Sequence, residues 1–203
     1  MESLNSKSDV LKNAAPAEFF EWTVLDDGTV RIDKYLGDAE EVVIPAEIDG
    51  KRVTVIGENS FQFSEITSIT IPEGVTRIES CAFASCSALA LIKIPESVTE
   101  IGEMAFLDCP SLTSVNIPAG VTEISGVMFA GCSSLTSITI PDSVTRIGES
   151  AFTNCRSLSS VTLPEGVKIC TNAFVGCKLL TSIKLSNGVI VDVITLSSGE
   201  KTI

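Results

Sequence analysis

The sequence predicts an α/β repeat solenoid dominated by short parallel β-strands. Three observations predict it: a repeat of 22 or 23 residues, a fixed set of apolar positions in each repeat, and departures from the pattern at both ends. Prolines fall at Pro72, Pro95, Pro118, Pro141 and Pro164, phenylalanines at Phe83, Phe106, Phe129 and Phe152, and cysteines at Cys86, Cys109, Cys132 and Cys155, each series spaced by 23. Phe174 and Cys177 follow after 22, the missing residue lying between Val167 and Ile169. Phe61 precedes Phe83 by 22 in a repeat that lacks the cysteine.

Within a repeat, Leu135, Ile138, Ile140 and Pro141 read as a short strand with its apolar side inward, closed by a proline that removes a ladder donor. Val144 and Ile147 read as a second short extended segment. Residues Gly148 to Cys155 turn the corner, with Ala151, Phe152 and Cys155 placed on one side of a short helical turn. One rung cannot bury these side chains alone, so stacking against the next rung supplies the core.

The ends depart from the pattern because an uncovered rung exposes apolar core and sheet edge. Residues 1–18 read as an N-terminal tail or short helix, with Leu4, Val10 and Leu11 its scattered apolar residues. Residues 19–38 read as a β cap: Trp22 and Val24, an Asp26-Asp27-Gly28 turn, then Val30 and Ile32 form a hairpin. The solenoid is placed at 39–185, about six to seven rungs, the first carrying extra residues at Ile48–Arg52. Residues 186–203 read as a closing strand with Val189, Val191, Val193 and Thr195 at alternate positions.

Of the 203 residues, 44% are hydrophobic and 20% charged, which predicts folded structure nearly throughout. A net charge of −12 repels phosphate backbones and anionic lipid, so neither nucleic acid nor membrane insertion is expected. No apolar run reaches the roughly 18 residues of a membrane span, and the first twenty residues show no signal-peptide pattern. If Met1 is the native start, that places the protein in the cytoplasm.

The chain has no histidine, which removes Ser/His/Asp and Cys/His nucleophile pairs and every histidine metal site. Neither a glycine-rich phosphate loop nor a C-x-x-C pair is present. No enzymatic activity, cofactor or metal is expected. Cys86, Cys109, Cys132, Cys155 and Cys177 share one repeat position and should stack about 4.8 Å apart with parallel side chains, as small buried core residues rather than disulfides. Cys81 and Cys170 lie off this ladder at corners, where an incidental residue is favoured over a reactive thiol. Acidic residues recur after the proline (Glu73, Glu96, Asp142, Glu165) and at the corner (Glu58, Glu103, Glu149), but Ala119 and Gly126 interrupt these columns, which favours solvated edges over a Ca²⁺ site. Arg77 and Glu100, and Glu123 and Arg146, occupy one repeat position on adjacent rungs and read as registry pairs.

The unit running from Leu135 to Ser157, L-T-S-I-T-I-P-x-x-V-T-x-I-G-x-x-A-F-x-x-C-x-S, resembles the BspA-like leucine-rich repeats of bacterial surface proteins. So does the opening, D-G-T-V-R-I-D-K-Y-L-G from Asp27 and I-P-A-E-I-D-G-K-R-V-T-V-I-G from Ile44. The resemblance covers about residues 20 to 185. It implies a leucine-rich-repeat horseshoe or arc, a cell-surface or secreted location, and a non-enzymatic protein-binding or adhesion module whose partner is a host or neighbouring-cell surface protein. The competing expectation is a structural spacer with no specific ligand. Carrying over the family's strand geometry, the concave face comprises Ser68, Thr70, Leu91, Lys93, Ser114, Asn116, Ser137, Thr139, Ser160, Thr162, Ser182 and Lys184. It spans roughly 460 Å² from strand spacing and rise. A standard interface takes about 800 Å² per partner, so tight binding would recruit an edge or the N-terminal hairpin as well.

Overall fold

The apolar residues of each repeat recur at intervals that close one turn of chain, and the computed structural model, which describes residues 14–192 and 201–202, stacks these turns into a β-solenoid of about seven. The first strand column is β3 (Glu41–Val43), β6 (Ser68–Thr70), β8 (Leu91–Lys93), β11 (Ser137–Thr139), β13 (Ser160–Leu163) and β15 (Ser182–Leu185). Successive members pair in parallel one repeat apart, except where Leu91 meets Ser114 through an isolated bridge and the sheet stops. Alternation sets the faces: Ile69, Ile92, Ile138, Val161 and Ile183 point inward and are buried.

The second column is β2 (Val30–Tyr35), β5 (Lys51–Ile56), β7 (Arg77–Ile78), β9 (Glu100–Ile101), β10 (Glu123–Ile124), β12 (Arg146–Ile147) and β14 (Lys168–Ile169). It too is parallel, and it too is interrupted, between β9 and β10. The 22-residue repeat keeps register, with Ile147 opposite Ile169.

Antiparallel strands flank these columns. β1 (Phe20–Val24) pairs with β2 through a turn in which Gly28 has φ +81°, and β4 (Glu47–Ile48) pairs with β5 across Asp49-Gly50, both at positive φ. The extra residues of the first rung therefore form a miniature hairpin. At the other end β16 (Ile190–Asp192) lies antiparallel on β15, and β17 (Lys201–Thr202) on β14. Of the expected closing alternation, Val191 packs on the core while Val189 is exposed; Val193 and Thr195 fall outside the described residues, as do Leu4, Val10 and Leu11.

The corners correct the α part of the expected α/β class. Among the described residues the one helix is a three-residue 3-10 turn, Ala17–Phe19. Each corner is instead a run of tight turns with two left-handed residues four apart, such as Ser150 (φ +55°) and Asn154 (φ +62°). Between them Thr153 N–H bonds back to Ser150 O at 3.1 Å, while Ser150, Phe152 and Asn154 donate across to Thr171, Ala173 and Val175 of the next rung at 3.1, 2.8 and 2.7 Å. Beyond its first turn an α-helix spends each N–H on its own carbonyl four residues back. Here alternate N–H groups leave the corner, so it becomes a third inter-rung ladder. Gly148 lets this corner close on the preceding rung: a Cβ there would stand 2.6 Å from Gly126 N.

Inside the corners, Tyr35, Phe61, Phe83, Phe106, Phe129, Phe152 and Phe174 form one continuous stack with centroids 5.2 to 5.5 Å apart. Phe20 of β1 sits at its N-terminal end, 5.5 Å from Tyr35. The cysteine of each rung lies against this stack. Cys86, Cys109, Cys132, Cys155 and Cys177 donate their thiols to the carbonyls of Phe61, Phe83, Phe106, Phe129 and Phe152 at 3.0 to 3.2 Å. The repeated cysteine is thus a small apolar residue with a donor to spare, which explains the choice better than size alone.

Two substitutions probe this corner. Phe129→Ala should lower stability by about 3 to 5 kcal/mol in urea denaturation, the cost of an unfilled aromatic site; a loss under about 1 kcal/mol would show that the stack does not hold the rungs together. Val127 is a β-branched residue at φ +57°, where its equivalents include Asn59 and Asn172. Left-handed backbone costs such a side chain roughly 1 to 2 kcal/mol, so Val127→Asn should raise stability by about 1 kcal/mol, and an unchanged or lower denaturation midpoint would refute the strain.

Candidate interaction surface

The outward residues of the first strand column stand in register from rung to rung. Ser68 faces Leu91 and Thr70 faces Lys93; Leu91 bridges to Ser114; Ser137 faces Ser160 and Thr139 faces Thr162; Thr162 faces Lys184. Ser182 lies on β15 with Lys184. All of these are exposed except Ser68 and Thr162, which are half-buried. Leu91 is 58% exposed, a large apolar side chain between two serines. The column also begins one rung earlier than the sequence reading placed it, since β3 sets Glu41 beside Ser68 and Val43 beside Thr70. The first rung's altered spacing concealed that continuation.

Asn116 behaves differently from its neighbours. In other rungs the residue before the proline donates to the strand carbonyl one rung on, as Ile44 does to Thr70 O at 3.0 Å and Ile140 to Thr162 O at 2.9 Å. Ile94 N–H instead donates to Asn116 Oδ1 at 3.1 Å, and Asn116 Nδ2 donates to Ile94 O at 2.7 Å. The amide replaces the backbone ladder and splits the face into an N-terminal part around Leu91 and a C-terminal part from Ser137. Across the same rung junction, Ser125 Oγ donates to Ile101 O at 2.8 Å, where Gly148 N–H serves Ile124 O in the equivalent position of the next pair of rungs. The second sheet therefore breaks at the junction where the first is reduced to the Leu91–Ser114 bridge, while the corner ladder runs through it unbroken, Phe106 N–H to Met128 O at 3.0 Å.

The ionic pairs divide. Arg146 binds Glu123 across the rungs as expected, but Arg77, though opposite Glu100, pairs with Glu79 at 3.2 Å. Exposed pairs of this kind contribute about 0.2 to 1 kcal/mol.

Of the cysteines off the ladder, Cys170 is buried and Cys81 half-buried, with φ +56°. Burial, reinforced by Glu58 and Glu103, raises the Cys81 thiol above its usual range. Within the ladder, burial pushes Cys132 up to about 12. A hydrogen bond with the neighbouring thiol, then burial, raises Cys109 and Cys155 as well. Cys109, Cys132 and Cys155 therefore stay protonated at neutral pH, the form that donates to the phenylalanine carbonyls and is not a nucleophile. Among the described residues no group of three or more His, Cys, Asp or Glu side chains is placed to hold a metal, and no helix is long and apolar enough to cross a membrane.

Sequence reasoning passed over one surface feature. Phe63 occupies the second left-handed corner position, held elsewhere by Ser85, Asp108, Gly131, Asn154 and Gly176, and its ring is 69% exposed. The signal was present as an aromatic side chain in a column of small or polar ones.

Parallel strand columns, a strand–proline–strand–corner repeat and a buried phenylalanine ladder define the leucine-rich-repeat class of solenoid. Six copies of the BspA-type leucine-rich repeat match residues 54–181. The chain belongs to the BspA-type leucine-rich-repeat family. It is similar to a leucine-rich repeat protein of T. pallidum, at 31% identity and TM-score 0.78, over 84% of this chain and 81% of that one. It is similar also to a leucine-rich cell surface protein of Faecalibacterium prausnitzii, at 31% identity and TM-score 0.66, over 87% and 60%. A leucine-rich repeat protein of Bacteroides ovatus matches at 35% identity and TM-score 0.71, over 82% and 45%. The chain thus spans less than two thirds of the F. prausnitzii protein and under half of the B. ovatus one. The comparison with curated proteins found no match.

Thiol titration checks the cysteine arrangement. After folding without reductant, all seven cysteines should titrate as free thiols in denaturant, whereas Cys81 alone should react in the native protein at pH 8. Two or more stable disulfides would contradict the buried ladder.

Proposed function

We propose that this chain is a non-enzymatic protein-binding or adhesion module, displayed at the bacterial cell surface, whose contact centres on the outward positions of the first strand column. The observation that carries the reading is Leu91: a partner gains desolvation there and forms hydrogen bonds to the Ser and Thr side chains around it. Lys93, beside it, lowers the barrier to a partly acidic ligand on a chain of net charge −12. Family membership and the likeness to a cell surface protein of F. prausnitzii support the location. Within this reading residues 19–38 are the N-terminal cap, 39–185 the repeat body and 186–203 the closing segment. Support for the cap is the β1–β2 hairpin, whose Phe20 packs beside Tyr35 and Phe61, the first two rings of the aromatic stack.

Capture from host or bacterial surface extract, repeated with the variant Leu91→Asp/Lys93→Glu, tests it. The double variant should weaken binding of a captured partner at least about tenfold, roughly 1.4 kcal/mol, with thermal stability nearly unchanged. Full binding by the variant moves the contact off this face, and absence of saturable capture favours a structural spacer, for which the small, aromatic-free strand surface speaks.

A further inference from the structure

Phe63 is costly where it stands. Its backbone is left-handed (φ +62°), fixed by its N–H donating to Ala84 O at 3.0 Å, and this conformation costs a bulky residue roughly 1 to 2 kcal/mol. The ring gains no compensating burial, being 69% exposed, and among the described residues it stacks on no other ring. The fold does not need an aromatic there, because the equivalent corners close with Ser, Asp, Asn or Gly.

Phe63 lines a cleft together with Tyr35, the loop Gly37-Asp38-Ala39, Ser64, Glu65 and Ile66. That loop is held in place. Ala39 N–H donates to Tyr35 Oη at 3.2 Å, and a Cβ on Gly37 would stand 2.4 Å from the same oxygen, so the loop closes on the tyrosine only with glycine there. Tyr35 is itself locked into the aromatic stack. The loop side of the cleft is therefore preformed, which spares a ligand the entropy of ordering it. Its charged lining is Asp38 and Glu65, both exposed, and no basic side chain lines it.

An exposed aromatic side chain that shares a cleft with two carboxylates and no basic group attracts a cation, whose charge the ring quadrupole and the carboxylates take between them. We infer that this cleft is a second recognition site, distinct from the strand face, that takes an arginine or lysine side chain from a basic segment of a partner protein. The net charge of −12 steers such a segment toward the chain, and the cleft selects where it settles. The inference does not depend on binding at Leu91.

Titration of the ¹⁵N-labelled protein with acetylated tetra-arginine amide at 150 mM salt tests it. Amides of Gly37, Asp38, Phe63 and Glu65 should shift saturably. Phe63→Ser should weaken the peptide about fivefold, the size of one lost cation–π contact, and should melt close to the parent, because serine closes the equivalent corner at Ser85 and the ring it removes is largely exposed. Phe63→Leu keeps the apolar bulk without the quadrupole and should lose comparable affinity, as should Asp38→Asn with Glu65→Gln. The Leu91→Asp/Lys93→Glu variant should bind the peptide unchanged, which separates this site from the strand face. Shifts spread over the acidic surface, or full affinity in Phe63→Ser or Phe63→Leu, overturn the proposal.

Discussion

Adjacent rungs are joined by the contact between a phenylalanine ring and its counterpart one repeat on, and by the thiol that reaches back to the preceding phenylalanine carbonyl. Each ring contact adds about 0.5 to 1.5 kcal/mol beyond the area it buries, and the stack runs unbroken from Tyr35 to Phe174. The short strands contribute far less order by themselves, several being two residues long. Where the second sheet stops and the first is reduced to one bridge, between Ile101 and Ser125 and between Ile94 and Asn116, the aromatic stack and the corner ladder carry the solenoid across.

Keeping those rings in one column imposes a backbone requirement. To send alternate N–H groups to the next rung, each corner takes two residues into the left-handed region, a conformation L-residues other than Gly, Asn and Asp adopt at a cost. The repeat meets this unevenly: Gly131 and Gly176 sit easily, Val127 and Phe63 do not. The same rung column shows a second local expense at Ser60, whose hydroxyl is buried without a hydrogen-bond partner where other rungs place Ala82, Ala105, Met128 or Ala151.

The two proposed recognition surfaces are built on different physics. The strand face is rigid, nearly neutral and poor in anchors, so affinity there depends on one apolar side chain and a field of small hydroxyl groups. The Phe63 cleft is small but carries an aromatic ring and carboxylates. They attract ligand charges of opposite kinds, Lys93 an acidic group and Asp38 with Glu65 a basic one, so a partner of mixed charge fits both without conflict.

Period, rung boundaries, the buried phenylalanine and cysteine positions and the N-terminal hairpin were legible in the sequence because each depends on one repeated side-chain type or on a short turn signal. Stacking at fixed period leaves few alternatives for residues 22 or 23 apart. The outward strand positions were legible for the same reason: alternation along a strand fixes which side chains leave the core. What only the tertiary structure decided are features set by neighbouring backbones. Whether the corner coils into a helix or spends its N–H groups on the next rung is such a choice, and helical spacing of Ala151, Phe152 and Cys155 fits both. The capture of Asn116 by the Ile94 backbone, Arg77 turning to Glu79 rather than Glu100, and the pinning of the Gly37 loop on Tyr35 are others. Each pits contacts of similar strength against one another, and the distances between rungs, which no single repeat encodes, select among them.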